Sequence, residues 1–343
     1  MARYAILILP AFNRVYGASA VGLTRSELAF FGERALGGRV GEITETRMGG
    51  VPYVTFEADD LPERDVAFLS NLSSLYALFE LEGGLLRPVE VRPLDRFDTD
   101  LLTIQKYAGK TNEHFTKMLM NVTLLATAHP ERMLTRKLSV FDPMCGRGTT
   151  LNQALMYGLD ATGIDIDAKD FDAYANFLRT WLKNKRLKHS AEITPIRRER
   201  AQVGRRFHVT LGRTKEAWKA GEVDSITMIN ADTLRSAELL RARSFDALVT
   251  DAPYGVQHGS RQGTGGSRAA RWPCWRPPCP PGARCCAPAR RSACPGTPTW
   301  RLAAKWSRSW RATAWRSSRR PGSSTGWTRP STGTSSWPGC PTR

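Results

Sequence analysis

Four short stretches of the chain combine glycine or carboxylate side chains with the ends of apolar runs. The first is Phe141-Asp142-Pro143-Met144-Cys145-Gly146-Arg147-Gly148-Thr149-Thr150. It falls between the strand-like run Leu138–Phe141 and a helical pattern over Thr150–Tyr157. Glycines at such a turn let the backbone bend sharply and approach a ligand closely. The spacing is not the dinucleotide GxGxxG fingerprint, and no Gly-Lys-Thr phosphate loop is present. The second stretch, Gly163-Ile164-Asp165-Ile166-Asp167, ends the next strand. A carboxylate at that tip is placed to accept hydrogen bonds from ribose hydroxyls. Asp165 suits that role, and Asp167, just before Ala168, suits a helix cap. The third, Asn230-Ala231-Asp232, ends a later strand. Asp232 could accept from an adenine amine or simply start a turn, and both readings stay open. The fourth is Thr250-Asp251-Ala252-Pro253-Tyr254-Gly255. Alone it reads as an ordinary turn; as the fourth such strand end in order it reads as part of a site.

The elements that must position these residues alternate. Strands are expected at Leu138–Phe141, Ala161–Ile166, Ile226–Asn230 and Ala247–Thr250, with helices at Thr150–Tyr157 and Ala168–Leu182. Strand–helix alternation argues for an α/β fold with a parallel, doubly wound sheet, which binds ligands at the carboxyl ends of its strands. Residues 1–95 read as a smaller α/β unit. Tyr4–Leu9 is a strand run, Thr24-Arg25-Ser26-Glu27 offers a helix start, and Val40–Thr46 with Val51–Phe56 form a hairpin around Gly49-Gly50. A second helix is expected from Pro62-Glu63 with apolar positions through Val66, Leu69, Leu72 and Leu75, then a strand near Leu86–Val91. A helix near Asn112–Ala126 bridges the two parts.

Taken together and in order, these motifs resemble those of known enzymes. Asp142-Pro143-Met144-Cys145-Gly146-Arg147-Gly148 resembles the cofactor-binding motif of class I methyltransferases, and Asp251-Ala252-Pro253-Tyr254 resembles the Asp/Asn-Pro-Pro-aromatic motif of amino-methyltransferases, with Ala252 in place of the first Pro. With Lys106-Tyr107-Ala108-Gly109-Lys110-Thr111-Asn112 upstream and Gly255-Val256-Gln257-His258 downstream, residues 100–260 are similar to the RNA methylase family, and within it to tRNA guanine N2-methyltransferases. The resemblance implies a Rossmann-like domain over 96–260 that uses S-adenosylmethionine, held by Asp142, Cys145, Gly146, Gly148, Thr149, Asp165 and Asp232. It implies Asp251, Pro253 and Tyr254 as catalytic residues and Lys110, Asn112 and His258 as substrate contacts, although an isolated loop His is more often merely solvated. The implied partner is nucleic acid, most closely tRNA, and no metal is called for. Residues 1–95, an accessory domain, have the size of a divergent RNA-binding unit. Two rival readings are a DNA adenine or cytosine amino-methyltransferase, and an inactive remnant that binds cofactor or RNA.

Composition bears on the partner less simply than the total suggests. The 343 residues carry a net charge of +18, but residues 261–343 hold fifteen Arg, one Lys and no Asp or Glu. Residues 1–260 balance 34 basic against 32 acidic groups. Within them, Lys183, Lys185, Arg186 and Lys188 cluster past a helix end, and Arg197, Arg198, Arg200, Arg205 and Arg206 follow in an apparently loose segment. These read either as a solvated surface or as a track on an RNA backbone. Cys145 is the single cysteine of residues 1–260, which excludes a disulfide framework there and fits a reducing compartment. The apolar run Ala5–Leu9 is too short for a signal peptide or a span, so a soluble cytoplasmic protein is expected.

The last quarter, residues 261–343, lacks Ile, Val, Phe, Tyr, Met, Asn, Asp and Glu, yet holds eight of the ten Trp. It cannot build an ordinary apolar core. GC-rich coding DNA read out of frame yields this mixture of Arg, Pro, Ala, Gly, Ser, Cys and Trp. Regrouping codon ends turns Trp327-Thr328 into an aspartate codon and, if the serines use TCN codons, Ser335-Ser336-Trp337 into apolar ones. A frameshift shortly after Ser260 is therefore expected, with a methyltransferase sheet incomplete on its C-terminal side and a disordered tail.

Overall fold

The computed structural model describes residues 1–10, 14–107, 109–135 and 137–251, with the side chains of residues 14–18 left aside. Two sheets organise them. The first has five antiparallel strands in the order β2-β3-β1-β4-β5: β1 (Ala2–Ile8), β2 (Gly41–Met48), β3 (Val51–Ala58), β4 (Leu75–Glu82) and β5 (Leu85–Val89). Gly49 and Gly50, both at positive φ, close the β2–β3 hairpin as a two-residue turn requires. Helices α1 (Arg14–Arg34) and α2 (Glu63–Leu69) accompany this sheet.

Two expectations fail here. Thr24 does not start a helix: α1 begins at Arg14, and the Thr24 hydroxyl donates to the Ala20 carbonyl one turn back. Glu27, from the same segment, is buried, and its carboxylate accepts from the Ser73 backbone N–H and hydroxyl and from Asn121 Nδ2. The second helix also stops at Leu69. Ser70 and Asn71 turn their side chains back onto the carbonyls of Val66 and Ala67, and Leu75 opens strand β4 instead. The apolar spacing ran across that boundary because Leu72 is buried in the connecting turn.

After the short helix α3 (Asp100–Thr103) comes α4 (Glu113–Leu125), with Asn112 as its N-cap, and the short helix α5 (Arg132–Thr135). The second sheet follows, in the order β11-β6-β7-β10-β9-β8. Its strands are β6 (Ser139–Asp142), β7 (Asp160–Asp165), β8 (Lys188–Arg198), β9 (Ala201–Gly212), β10 (Val223–Asn230) and β11 (Ala247–Leu248). Strands β11, β6, β7 and β10 run parallel, joined through α6 (Thr149–Met156), α7 (Ala168–Asn184) and the short α9 (Ser236–Leu239); α8 (Lys215–Ala220) precedes β10. This matches the expected α/β alternation.

The segment read as loose is instead the antiparallel hairpin β8–β9, which pairs with β10 and extends the sheet. Phe207, Val209 and Leu211 alternate inward onto the α7 side, while the intervening residues face away from it. Buried side chains of both sheets, from Tyr4 and Phe31 through Leu124 and Leu151 to Phe207 and Met228, form one continuous core. A smaller cluster of Ile164, Ile229, Ala231 and Leu239 lies on the opposite face of the second sheet.

Candidate active site

Asp142 ends β6 and turns inward. It is 1% exposed, and its Oδ1 accepts from the Met144 backbone N–H at 3.1 Å, which folds the following loop back over the strand. Burial pushes its carboxyl up to about 6, against the opposing pull of hydrogen bonds from Met144 and Thr150. The loop is pinned to β7: Cys145 N–H donates to the Ile164 carbonyl at 3.0 Å, and Gly148 N–H to the Cys145 carbonyl at 2.8 Å. A Cβ on Gly163 would lie 2.6 Å from Cys145 Sγ, so the loop can settle there only because Gly163 has no side chain.

The two loop glycines do different work. Gly146 (φ 51°) faces open space, so its need for glycine is conformational. Gly148 (φ 78°) also packs against the buried ring of Tyr174, which a Cβ would meet at 2.4 Å. Gly148 is the N-cap of α6 and offers no side-chain acceptor. The first N–H groups of α6, and the positive end of its dipole, therefore have no capping side chain next to the open face of Gly146.

Asp165, at the tip of β7, accepts from the Gly146 N–H at 2.8 Å and the Asp167 N–H at 2.9 Å. Partial burial raises its pKa, and the nearby Asp170 and Asp167 add to the rise. Asp167 caps α7 through the Lys169 N–H at 2.7 Å, as its position in the sequence indicated. Asn230 Nδ2 donates to the carbonyls of Asp165 and Ile166, both at 3.1 Å, tying the ends of β7 and β10 together. Of the two roles left open for Asp232, the structure fills the turn: its carboxylate accepts from Leu234 N–H at 2.9 Å and opens a short 3-10 turn.

Gln105 and Tyr107 lie alongside the glycine loop. Tyr107 stacks under Arg147, whose guanidinium carbon is 4.7 Å from the ring centroid, and its hydroxyl is 3.3 Å from Thr149 Oγ1. Arg147 Nε in turn donates to Asp170 at 2.7 Å. Lys110 Nζ donates to the Leu102 carbonyl at 2.6 Å and lies 3.7 Å from Glu113, while Asn112 Oδ1 accepts from His114 and Phe115 N–H groups. Both candidate substrate contacts thus spend polar atoms on their own segment. Thr111, between them, is the residue the sequence reading passed over. Its hydroxyl donates to Asp251 Oδ2 at 2.8 Å. The signal was its place in the upstream motif, although nothing in the motif said which residue reaches across.

Asp251 follows β11, which pairs with β6, so Asp251 and the glycine loop leave neighbouring strands on the same side of the sheet. The structure thus brings Asp142, Cys145, Gly146, Gly148, Thr149, Asp165, Asp232 and Asp251 to the carboxyl ends of the four parallel strands. Pro253, Tyr254 and His258 lie outside the described residues, as does the whole 261–343 tail.

Residues 122–265, from the middle of α4 to beyond Asp251, match the family described as UPF0020: RMKL-like, methyltransferase domain. That match supports a class I methyltransferase domain, similar to those of the RNA methylase family. No curated protein matches the chain. The family implies a nucleic-acid substrate and generally uses S-adenosylmethionine. The strand ends suit such a cofactor: the open face of Gly146, the uncapped start of α6 and the Asp165 carboxylate supply backbone access, N–H donors and a hydroxyl acceptor. Among the described residues no group of His, Cys, Asp and Glu could hold a metal ion, and no helix is long and apolar enough to cross a membrane.

Proposed function

We propose that the methyltransferase domain transfers a methyl group from S-adenosylmethionine to an exocyclic amine of an RNA base, with guanine N2 of tRNA as the favoured target. The observation that carries this reading is Asp251, held by Thr111 at a strand end beside the glycine loop. An exocyclic amine is a weak nucleophile because its lone pair is delocalised into the ring. A site that methylates it must accept hydrogen bonds from the amine hydrogens and aim the nitrogen. Thr111 occupies Oδ2 of Asp251 and leaves Oδ1 for one amine hydrogen. A backbone carbonyl of Ala252 or Pro253 takes the other, and Tyr254 stacks on the extruded base. Asp251 also receives the proton lost after transfer.

The bound cofactor supplies an electrophilic sulfonium methyl. Asp165 keeps free lone pairs on both oxygens for ribose hydroxyls, since each oxygen accepts only one backbone N–H. Asp232 keeps its second oxygen for an adenine amine, and Gly146, Gly148, Cys145 and Thr149 let the chain lie close to the ligand.

The test is methyl transfer from labelled S-adenosylmethionine to total tRNA, beside a DNA control. It compares this chain, a version with the reading frame after Ser260 restored, and Asp251→Ala. Turnover on tRNA should fall by about 100-fold or more in Asp251→Ala, the lower range for a lost acid–base group, with cofactor affinity retained. Near-normal turnover would sink the assignment, and label appearing in DNA would replace RNA as the substrate. Transfer to tRNA by the restored chain alone would support the frameshift.

A further inference from the structure

The basic residues of 183–213 are ten Lys and Arg against two Glu, whereas the rest of residues 1–260 carry more acid than base. Strand register divides this stretch into two separate groups. Lys188 of β8 pairs with Gly212, which pairs with Val223 at the start of β10. Lys183 and Lys188 therefore stand at the edge of the sheet remote from the site, with Lys185 between them, bound to Asp98 and Asp100 at 2.6 and 2.7 Å. At the other edge, Asn230 pairs with Asp165 on one side and Arg205 on the other, and Arg205 pairs with Pro195. The parallel strands end there, on the site edge. The hairpin continues past it through Ala201–Gly204, which is about 13 Å further at roughly 3.3 Å per residue.

This overhang carries Arg197, Arg198 and Arg200, all exposed. Arg205 behind them is tied to Asp172 and stacked on Phe171, and Arg198 donates to the Glu238 carbonyl. Arg197 and Arg200 form no ion pair among the described residues. Arg200 is at the turn with φ 67°, and Glu199 before it has φ 48°. Two-residue turns of this kind favour Asn-Gly; here a long cation occupies the glycine position. Further down β9, exposed Arg206 lines an open groove of about 420 Å³ with Glu192, Thr194, His208 and Thr227, floored in part by Ile229 and Leu240, on the face away from α7.

We propose that the β8–β9 hairpin is an RNA-gripping arm, whose Arg197, Arg200 and Arg206 bind phosphates of the RNA four to five strands, about 19–24 Å at roughly 4.8 Å per strand, across the sheet from the nucleotide presented to Asp251. The inference rests on the RNA methyltransferase reading. A positive projection beyond the site edge, on an otherwise slightly acidic body, suits a polyanion that must reach that edge.

The experiment compares the full chain with the triple variant Arg197→Ser/Arg200→Ser/Arg206→Ser and with Lys183→Ser/Lys188→Ser at the opposite edge. The charged tail is common to all three, so differences report the hairpin. Affinity for tRNA is measured against salt, with hydrogen exchange of the 195–206 peptides with and without tRNA. The salt slope should fall by about 2 to 3 in the triple variant, at roughly 0.7–0.9 per lost phosphate contact. The opposite-edge pair should change it little, and tRNA should protect the 195–206 peptides. In active protein, KM for tRNA should rise at least tenfold while kcat and cofactor affinity hold. An unchanged slope, equal loss in both variants, or no protection of those peptides would overturn the arm. Label entering DNA instead of tRNA would overturn the RNA reading and the arm with it. Methylated tRNA with an unchanged KM in the triple variant would overturn the arm alone.

Discussion

At the scale of single residues, the acids of the site divide by what surrounds them. Asp142 is buried and its carboxyl is pushed up to about 6 from an ordinary value of 3.8. The folded chain therefore holds this proton more tightly than the unfolded chain. The contribution to stability is full below about pH 4 and fades as pH rises to about 6, amounting to about 3 kcal/mol at 1.36 kcal/mol per pH unit. Asp142→Asn keeps the acceptor for the Met144 N–H and removes the ionisation. The variant should gain stability relative to the parent by about that amount between pH 4 and 7, read by denaturant unfolding at each pH. Asp165 and Glu27 shift in the same direction in both proteins and cancel in the difference. These strand-end carboxylates were legible because each sits where an apolar run stops. The Thr111–Asp251 bond was not, because its partners are 140 residues apart and only strand pairing brings them together.

At the scale of elements, the parallel strands and their helices were readable from alternation, since each buries its apolar positions against a neighbour it follows in sequence. Gly148 shows how closely one turn is fitted to its helix. Its φ of 78° disfavours any side chain, and a Cβ would press on Tyr174, which is fully buried and hydrogen-bonded to Asn152 at 3.1 Å. Gly148→Ala should cost about 3 kcal/mol or more, adding left-handed strain to overpacking, and should weaken cofactor binding. Thermal denaturation and a cofactor titration check both. The β8–β9 hairpin escaped the sequence reading because β8 has little apolar alternation: Glu192, Ile193, Thr194 and Pro195 are all exposed. In β9 the signal was present, as Phe207, Val209 and Leu211, but it was masked by the arginines before it.

At the scale of the whole molecule, the two sheets meet through a buried polar network as well as a common apolar core. Glu27 of α1 binds Ser73 before β4 and Asn121 of α4, and Asn121 also donates to the Asn71 carbonyl and accepts from Tyr157 at the end of α6. Glu27→Ala would leave the Ser73 N–H and hydroxyl short of an acceptor inside the protein. At about 1–3 kcal/mol per unsatisfied group, the loss should be about 3 kcal/mol. Because the network spans both sheets, the loss should appear as one earlier transition, the same by backbone and by aromatic signals. Two separate transitions would show that the sheets unfold independently. None of this could be read from the sequence, where Glu27 was only part of a stretch read as a helix start.

The seating of Cys145 has a practical corollary. Burial drives its thiol pKa well above the usual value, and within the glycine loop it is wedged against Gly163 of β7. An alkylating reagent meets a reactive thiolate there only when the loop lifts from β7. Modification of the Cys145 peptide, followed by mass spectrometry, therefore acts as a stopwatch for that lifting. S-adenosylmethionine should slow it if the ligand rests on the same loop, giving an occupancy readout independent of any RNA and of any methyl transferred.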